Sequence, residues 1–369
     1  MTEHRKIRLV VLYGGRSAEH EVSCVTAVHV LKALDPDRYD VVPIGITADG
    51  RWLLDEAARA ALKEGSTGLP RALEAAGREV SPFSPVVQAP DANTPVVFLP
   101  LLHGPFGEDG TVQGLLEVAG VPYVDAGVLG SALAMDKAKA KEVLGAHGLP
   151  QARWLGVHED EVGPGLRARV DRELGWPAFV KPANLGSSVG VSKVRDGEAL
   201  ERALDLAFSY DEWVVVEEAV VGREIEVAVL GNRDPEASVP GEIVPSREFY
   251  DYEDKYVVDG AGLVIPAPLS PAATDQVRAL AVEVFAVLRA EGMARVDFFY
   301  EEDGRGFLVN EANTIPGFTP ISMYPKLWEA SGLPYPKLVD RLVELALERH
   351  ARRAHRIGRS RATGGPPGR

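Results

Sequence analysis

Residues 294–313 read ARVDFFYEEDGRGFLVNEAN, two strand-like runs on either side of an acidic, glycine-containing turn. Arg295 and Asp297 are two apart and share one face of the first strand; Glu311 and Asn313 share one face of the second. A hairpin turning about Gly304 sets Asp297 opposite Glu311 and Arg295 opposite Asn313. Two carboxylates and an amide oxygen then form an all-oxygen cluster. Hard divalent ions such as Mg²⁺ take that set, with phosphate oxygens and water completing the octahedron. The other face carries Val296, Phe298 and Leu308, and the polar face abuts the turn Asn313-Thr314-Ile315-Pro316-Gly317. An ordinary solvent-facing polar stripe would show the same alternation.

Upstream of the hairpin, Ser270-Pro271 reads as the cap and first turn of a helix reaching about Ala290. Pro177–Pro182, Gly190–Val194 and Trp213–Glu217 read as short strands around a Gly/Ser loop, and 131–146 has helical period. The chain opens with Ile7–Tyr13, a continuous apolar run of the kind buried on both faces of a sheet. A Gly14-Gly15 turn and a helical pattern from about Glu21 follow it; Tyr39–Ile46 and Val96–Leu102 are further strands. That alternation predicts a doubly wound α/β domain over 1–127. A central unit over 128–217 and a C-terminal unit over 218–349 follow. Residues 54–95 are rich in Ala, Pro and Glu and carry no readable function, and 350–369 reads as a basic, disordered tail. There is no internal repeat and no heptad run.

Lys181 ends one of the short strands, and Gly186-Ser187-Ser188-Val189-Gly190 follows it. Small residues let backbone N–H groups approach phosphate oxygens while a lysine supplies charge. No Walker A pattern occurs, and a plain surface turn would read the same way. The five residues also match G-x-S-x-G, the elbow of serine hydrolases with Ser188 as nucleophile. An elbow leads into a helix, whereas Val189–Val194 reads as a strand, and the only later histidines, His350 and His355, lie at the tail. Trp213–Val220 is an apolar strand ending in Glu217 and Glu218, with Glu224 beyond. It is either an edge strand with a solvated end or a cradle for adenine with carboxylates for the ribose. Gly14-Gly15 lacks the third glycine of a dinucleotide fingerprint, which argues against an oxidoreductase. Glu19 lies at the carboxyl end of the first strand, where open α/β sheets bind ligands.

The 369 residues carry 40 Lys and Arg against 54 Asp and Glu, a formal charge of −14. So acidic a surface argues against a nucleic-acid partner or an anionic membrane. The single cysteine, Cys24, excludes an intrachain disulfide and reads as a small buried hydrophobe. With neither a signal-peptide pattern nor an apolar run of the ~18 residues a spanning helix needs, the expectation is a cytoplasmic, soluble chain without membrane insertion.

Seven runs together resemble the D-alanine–D-alanine ligases of the ATP-grasp superfamily. They are GGRSAEHEVS (14–23), LLHGPFGEDGTVQG (101–114), SALAMDKAKAK (131–141), KPANLGSSVGVSK (181–193), EFYDYEDKY (248–256), GMARVDFF (292–299) and NEANTIPGFTPISMYP (310–325). They stand in the family's order and span about residues 7–347. The resemblance implies a three-domain ATP-grasp architecture, the last two domains clasping ATP. It also implies ligation of two D-alanines through a D-alanyl phosphate, for peptidoglycan precursors, by a homodimer. It assigns Lys137 and Lys181 to the ATP phosphates, Glu217, Glu218, Ala219 and Val220 to adenine, and Glu224 to the ribose. Asp297, Glu311 and Asn313 would carry two Mg²⁺ (or Mn²⁺) ions. Glu19, with His103 nearby, would meet the first D-alanine's ammonium; Arg295 and the Gly317 N–H would face the developing oxyanion. Ser322 and Lys255 would orient the second D-alanine. Tyr256 would join Glu19 and Ser187 in a link that keeps the lid closed. Relatives making D-alanyl-D-lactate replace the tyrosine pattern of 250–256, so its retention implies a dipeptide product. Ile321 departs from members with histidine there, which touches only the second-substrate contacts. Other ATP-grasp carboxylate–amine ligases share the same metal and phosphate residues.

Overall fold

The computed structural model describes residues 6–84, 94–244, 262–354 and 356. Lys255 and Tyr256, and the tail beyond Arg356, lie outside them. Among the described residues three sheets carry the fold.

The first sheet has the order β4-β3-β2-β1-β5, with β1 at Ile7–Gly14, β2 at Tyr39–Ile46, β3 at Trp52–Leu54, β4 at Arg78–Glu79 and β5 at Val96–Pro100. β1 runs parallel to both β2 and β5. Its residues Leu9 to Tyr13 are fully buried, as a strand covered on both faces must be. The helix His20–Ala33 packs on one face with Leu9, Val11 and Tyr13; Val112 and Leu116, from the helix Thr111–Ala119, pack on the other with Val10 and Leu12. The doubly wound reading of this unit holds. The opaque stretch 54–95 contributes the helix Glu56–Lys63 and the edge strand β4, with 85–93 outside the described residues.

The second sheet has the order β6-β9-β7-β8 and is antiparallel throughout, with β6 at Trp154–His158, β7 at Ala178–Pro182, β8 at Ser192–Val194 and β9 at Trp213–Glu218. β8 starts two residues later than expected, because Ser187, Ser188 and Gly190 adopt left-handed backbone that keeps the loop out of the ladder. The third sheet follows the path β13-β12-β10-β14-β15, with β10 at Arg223–Gly231, β12 at Gly241–Val244, β13 at Gly262–Val264, β14 at Gly292–Glu301 and β15 at Gly306–Asn313. A short strand, β11 at Glu236–Ala237, pairs with β10. The helix Pro271–Val287 covers this sheet, and the Ser270 Oγ accepts from the Ala273 N–H at 3.2 Å, as the sequence predicts for a cap.

Three expectations need correction. The segment 131–146 is two helices, Val128–Met135 and Lys137–Ala146. Asp136 breaks them by leaving helical backbone and capping the second through Lys139 N–H. Both helices bury Ala134, Ala140 and Leu144 in the core of the third sheet. The pairing of β14 with β15 slips after Asp297, so Phe298 meets Val309 and Phe299 meets Leu308. That bulge turns Leu308 to the face of Asp297 rather than to the face of Val296. Finally, the last helix, Tyr335–Ala354, runs past the expected tail boundary at 350. Arg352 and Arg353 pair there with Glu291, and Arg353 also pairs with Glu117.

Candidate active site

A cavity of about 620 Å³ opens between the second and third sheets. β7 and β9 bring Lys181 and Glu217 to it, while β10, β14 and β15 bring Glu224, Arg295, Asp297 and Glu311.

On the third sheet the hairpin register is the one the sequence predicts: Asp297 faces Glu311, and Arg295 faces Asn313. β10 extends the row, because Glu226 stands opposite Asp297 on its other side. Glu226, Asp297 and Glu311 thus line up across three adjacent strands. Arg295 forks onto Asp297, with both N–H···O distances at 2.7 Å, and its Nε lies 3.0 Å from Glu226 Oε2. Burial opposes the charge on Arg295, but Asp297 and then Glu226 outweigh it and hold the guanidinium firmly protonated. Asn313 Nδ2 donates to Asp297 at 3.0 Å. Among the described residues no three His, Cys, Asp or Glu side chains converge into a preformed metal cluster. Asp297, Glu311 and Asn313 nevertheless fit a hard cation in kind: oxygen donors on one face, with Asp297 and Glu311 bordering the same cavity as Lys137 and Lys181.

On the second sheet, the Lys181 Nζ lies 2.5 Å from Glu217 Oε2, and Lys141 pairs with the other carboxylate oxygen. Burial alone would raise the Glu217 carboxyl; the two ammonium groups, Lys141 ahead of Lys181, overcome it and bring it down to about 2. Lys137 Nζ donates to the Leu185 carbonyl at 2.5 Å and stands 3.9 Å from Glu311 Oε2. Its charge therefore lies between the glycine-rich loop and the carboxylate row. Ser188 sits on a loop that returns into β8, not into a helix, so the strand–turn–helix frame of a hydrolase elbow is missing.

That loop also reaches the first unit. The Ser187 hydroxyl donates to Glu19 Oε1. Gly186 and Gly104 flank the same carboxylate: a Cβ added at Gly104, whose φ is +71°, would stand 2.7 Å from Glu19 Oε2. His103 is buried, donates Nδ1–H to the Ile315 carbonyl at 3.0 Å, and has no protein partner at Nε2 among the described residues. Burial lowers its pKa below the usual range against the pull of Glu19, so the ring is neutral. Glu108, partly buried, accepts from the Gly104 N–H at 2.7 Å. Burial, reinforced by the charge of Glu19, pushes its carboxyl well above the ordinary value. Two carboxyl groups around one small space suit an ammonium ion.

Ser322 begins the helix Met323–Ala330, and a Cβ on Gly317 would stand 3.2 Å from its Oγ, so the two expected acceptor-side residues are neighbours. Thr319 Oγ1 lies 2.8 Å from that same hydroxyl. β9 alternates, so Glu218 serves differently from Glu217: its oxygens accept from Arg153 Nε at 2.8 Å and Arg305 at 2.5 Å. Its side chain is a strut between sheets. Ala219 and Val220 border the cavity, and the Ala219 N–H is taken by the Pro177 carbonyl at 3.0 Å. Sequence reasoning missed Glu226, Glu108 and Lys141. Glu226 had a usable signal, being two residues from Glu224 and hence on the same face of β10.

The chain is similar to known proteins along most of its length. The family described as "D-ala D-ala ligase N-terminus" matches residues 8–126, and "D-ala D-ala ligase C-terminus" matches 143–344. The D-alanine–D-alanine ligase of Geobacillus kaustophilus is 47% identical over 352 residues, covering 94% of this chain and 96% of the relative. That of Solibacter usitatus is 49% identical over 349 residues, covering 94% and 97%. Among solved structures, the Coxiella burnetii D-alanine-D-alanine ligase superposes with a TM-score of 0.78 at 38% identity, covering 94% of this chain and 97% of that one. The VanG D-Ala:D-Ser ligase of Enterococcus faecalis gives 0.76 at 31%, covering 93% and 100%. With sequence similarity and architecture agreeing from β1 to the last helix, the chain belongs to the D-alanine–D-alanine ligase family, with the ATP-grasp fold.

Proposed function

We propose that this chain joins two D-alanines into D-alanyl-D-alanine while cleaving ATP to ADP and phosphate. Family membership carries the ligation. The observation that supports the internal division of labour is the Ser187–Glu19 contact, which sets the small acidic pocket of the first unit against the loop bordering the nucleotide cavity.

In this reading Lys137 and Lys181 hold the ATP phosphates, Glu217 to Val220 border adenine, and Glu224 accepts from the ribose. Asp297, Glu311 and Asn313 would hold Mg²⁺ or Mn²⁺, which when bound neutralises phosphate charge. Glu19 and Glu108 receive the ammonium of the first D-alanine, and His103 Nε2 accepts beside them. The carboxylate oxygen of that D-alanine attacks the γ-phosphorus and ADP leaves, giving D-alanyl phosphate; the protein's part is positioning and charge compensation. The second D-alanine, its amine deprotonated, attacks the carbonyl carbon, and phosphate departs. Arg295 and the Gly317 N–H stabilise the oxygen charge that develops. Ser322 and Lys255 orient the second carboxylate, and Tyr256 belongs to the closing loop. The enzyme works as a homodimer in the cytoplasm, supplying peptidoglycan precursors.

A second reading keeps the ATP chemistry and changes the acceptor; similarity to a D-Ala:D-Ser ligase favours testing it. Phosphate release with D-alanine, L-alanine, D-alanine plus D-serine, and D-alanine plus D-lactate, with products identified by mass, separates the two. Phosphate matched by D-alanyl-D-alanine is expected. ATP turnover without that dipeptide would overturn the substrate assignment.

A further inference from the structure

Lys141 is 3% exposed in the helix Lys137–Ala146 and does not border the nucleotide cavity. It nevertheless pairs with Glu217, a carboxylate that does border the cavity and is itself 3% exposed. The other oxygen of Glu217 is held by Lys181, 2.5 Å away on the cavity side. One buried carboxylate is thus shared between an ammonium that can reach a ligand and one that cannot.

The arrangement matters when a phosphate arrives. Lys181 can turn to a phosphate oxygen only by loosening its hold on Glu217. A buried carboxylate left without a counter-ion is strongly disfavoured, enough to cancel the attraction of the phosphate. With Lys141 behind it, Glu217 keeps one counter-ion whichever way Lys181 points. We infer that Lys141 is a positioning residue for nucleotide binding, which leaves Lys181 free to move between Glu217 and the phosphates. This rests on the reading of Lys181 as a phosphate ligand, and it goes further, assigning a role to a side chain that never touches ATP.

The signature is selective. A nucleoside without phosphates gives Lys181 no reason to leave Glu217, so it should be blind to Lys141. The test is calorimetric titration of the full chain with ADP and with adenosine, each with Mg²⁺, for the parent protein, Lys141→Met and Lys181→Met. Lys141→Met is expected to weaken ADP at least about tenfold and adenosine less than about twofold. A Lys141 that merely shapes the pocket would weaken both in parallel, and that result, or no change in either, overturns the inference. Lys181→Met separates the two levels of the argument. If it lowers the ADP-to-adenosine preference and Lys141→Met does not, only this inference fails. If neither lowers it, the phosphate role of Lys181 falls and this inference with it. Should Lys141→Met fail to fold, Lys141→Met/Glu217→Gln has no lone buried carboxylate and carries the comparison. Its preference should equal or exceed the parent's, because nothing holds Lys181 back; a tenfold lower preference would show that Lys141 acts other than through Glu217.

Discussion

Ser187 donates its hydroxyl hydrogen to Glu19, 168 residues earlier in the chain, and so ties the loop after β7 to the loop after β1. A hydrogen bond to a carboxylate is worth about 1.5–3 kcal/mol. Ser187→Ala should raise the KM for D-alanine by about tenfold or more with a smaller change in the KM for ATP, since ATP makes its main contacts elsewhere. Equal shifts in both constants, measured by steady-state phosphate release, would remove the link from first-substrate binding.

Glu311 stands opposite Asp297 in the carboxylate row. Glu311→Gln keeps the volume and removes the charge, so turnover should fall more than about a hundredfold while the melting temperature stays close to the parent's. Near-normal turnover of the soluble variant would take Glu311 out of the metal site.

Glu108 gives a pH signature with a definite sign. Its folded-state pKa is raised above the ordinary 4.5, chiefly by burial and then by Glu19. Its contribution to stability is therefore fully present below pH 4.5 and is lost as pH climbs through the raised folded value. Glu108→Gln keeps an oxygen for the Gly104 N–H and has nothing to ionise. Thermal melts across pH 4 to 9 should show the variant gaining on the parent as pH rises, with the smallest difference at the acid end. Parallel curves would mean that Glu108 titrates normally.

Leu342 is 1% exposed in the last helix and packs in the core that holds Leu9 and Val28. Leu342→Ala should cost about 2–5 kcal/mol, the range for a large-to-small change in a tight core. Denaturant unfolding measures it; a loss under about 1 kcal/mol would show that the helix docks loosely.

Tyr256→Phe tests the role proposed for Tyr256 in selecting the acceptor. With D-lactate offered alongside D-alanine, the fraction of depsipeptide should rise. An unchanged product ratio across pH would count against Tyr256 as an acceptor-selecting residue.

The sequence made some of this legible and hid the rest for physical reasons. Period-two alternation put Arg295, Asp297, Glu311 and Asn313 on one face, and the observed pairing bears that out beyond the bulge; the register set by the turn alone would have placed Asp297 opposite Asn310. The bulge itself was invisible, since the extra residue leaves no mark in the alternation until the strands are paired, and Leu308 was assigned to the wrong face for that reason. The Asp136 break was legible in principle: an Asp inside a helical pattern is a capping residue. Glu108 and Lys141 could not be found by pattern. Glu108 acquires its character from burial and then from Glu19, and Lys141 from Glu217, none of which local spacing shows. Glu218 borders the cavity as Glu217 does, but its ties to Arg153 and Arg305 come from other parts of the chain and leave no mark in the strand's own pattern.

The last helix also governs the order in which the molecule can be made. Leu338, Val339, Leu342 and Val343 share one core with Leu9, Val11 and Leu31, more than three hundred residues away. A chain emerging from the ribosome therefore carries the helix His20–Ala33 on its first sheet with the outer side of that layer unsealed until synthesis has passed about residue 346. The second sheet has a core of its own, drawn from 155–216, and is complete long before. The first sheet is translated well before the helix that completes its core. Contacts of such long range make closure slow, and the apolar outer side of the helix His20–Ala33 is the surface a chaperone would meet.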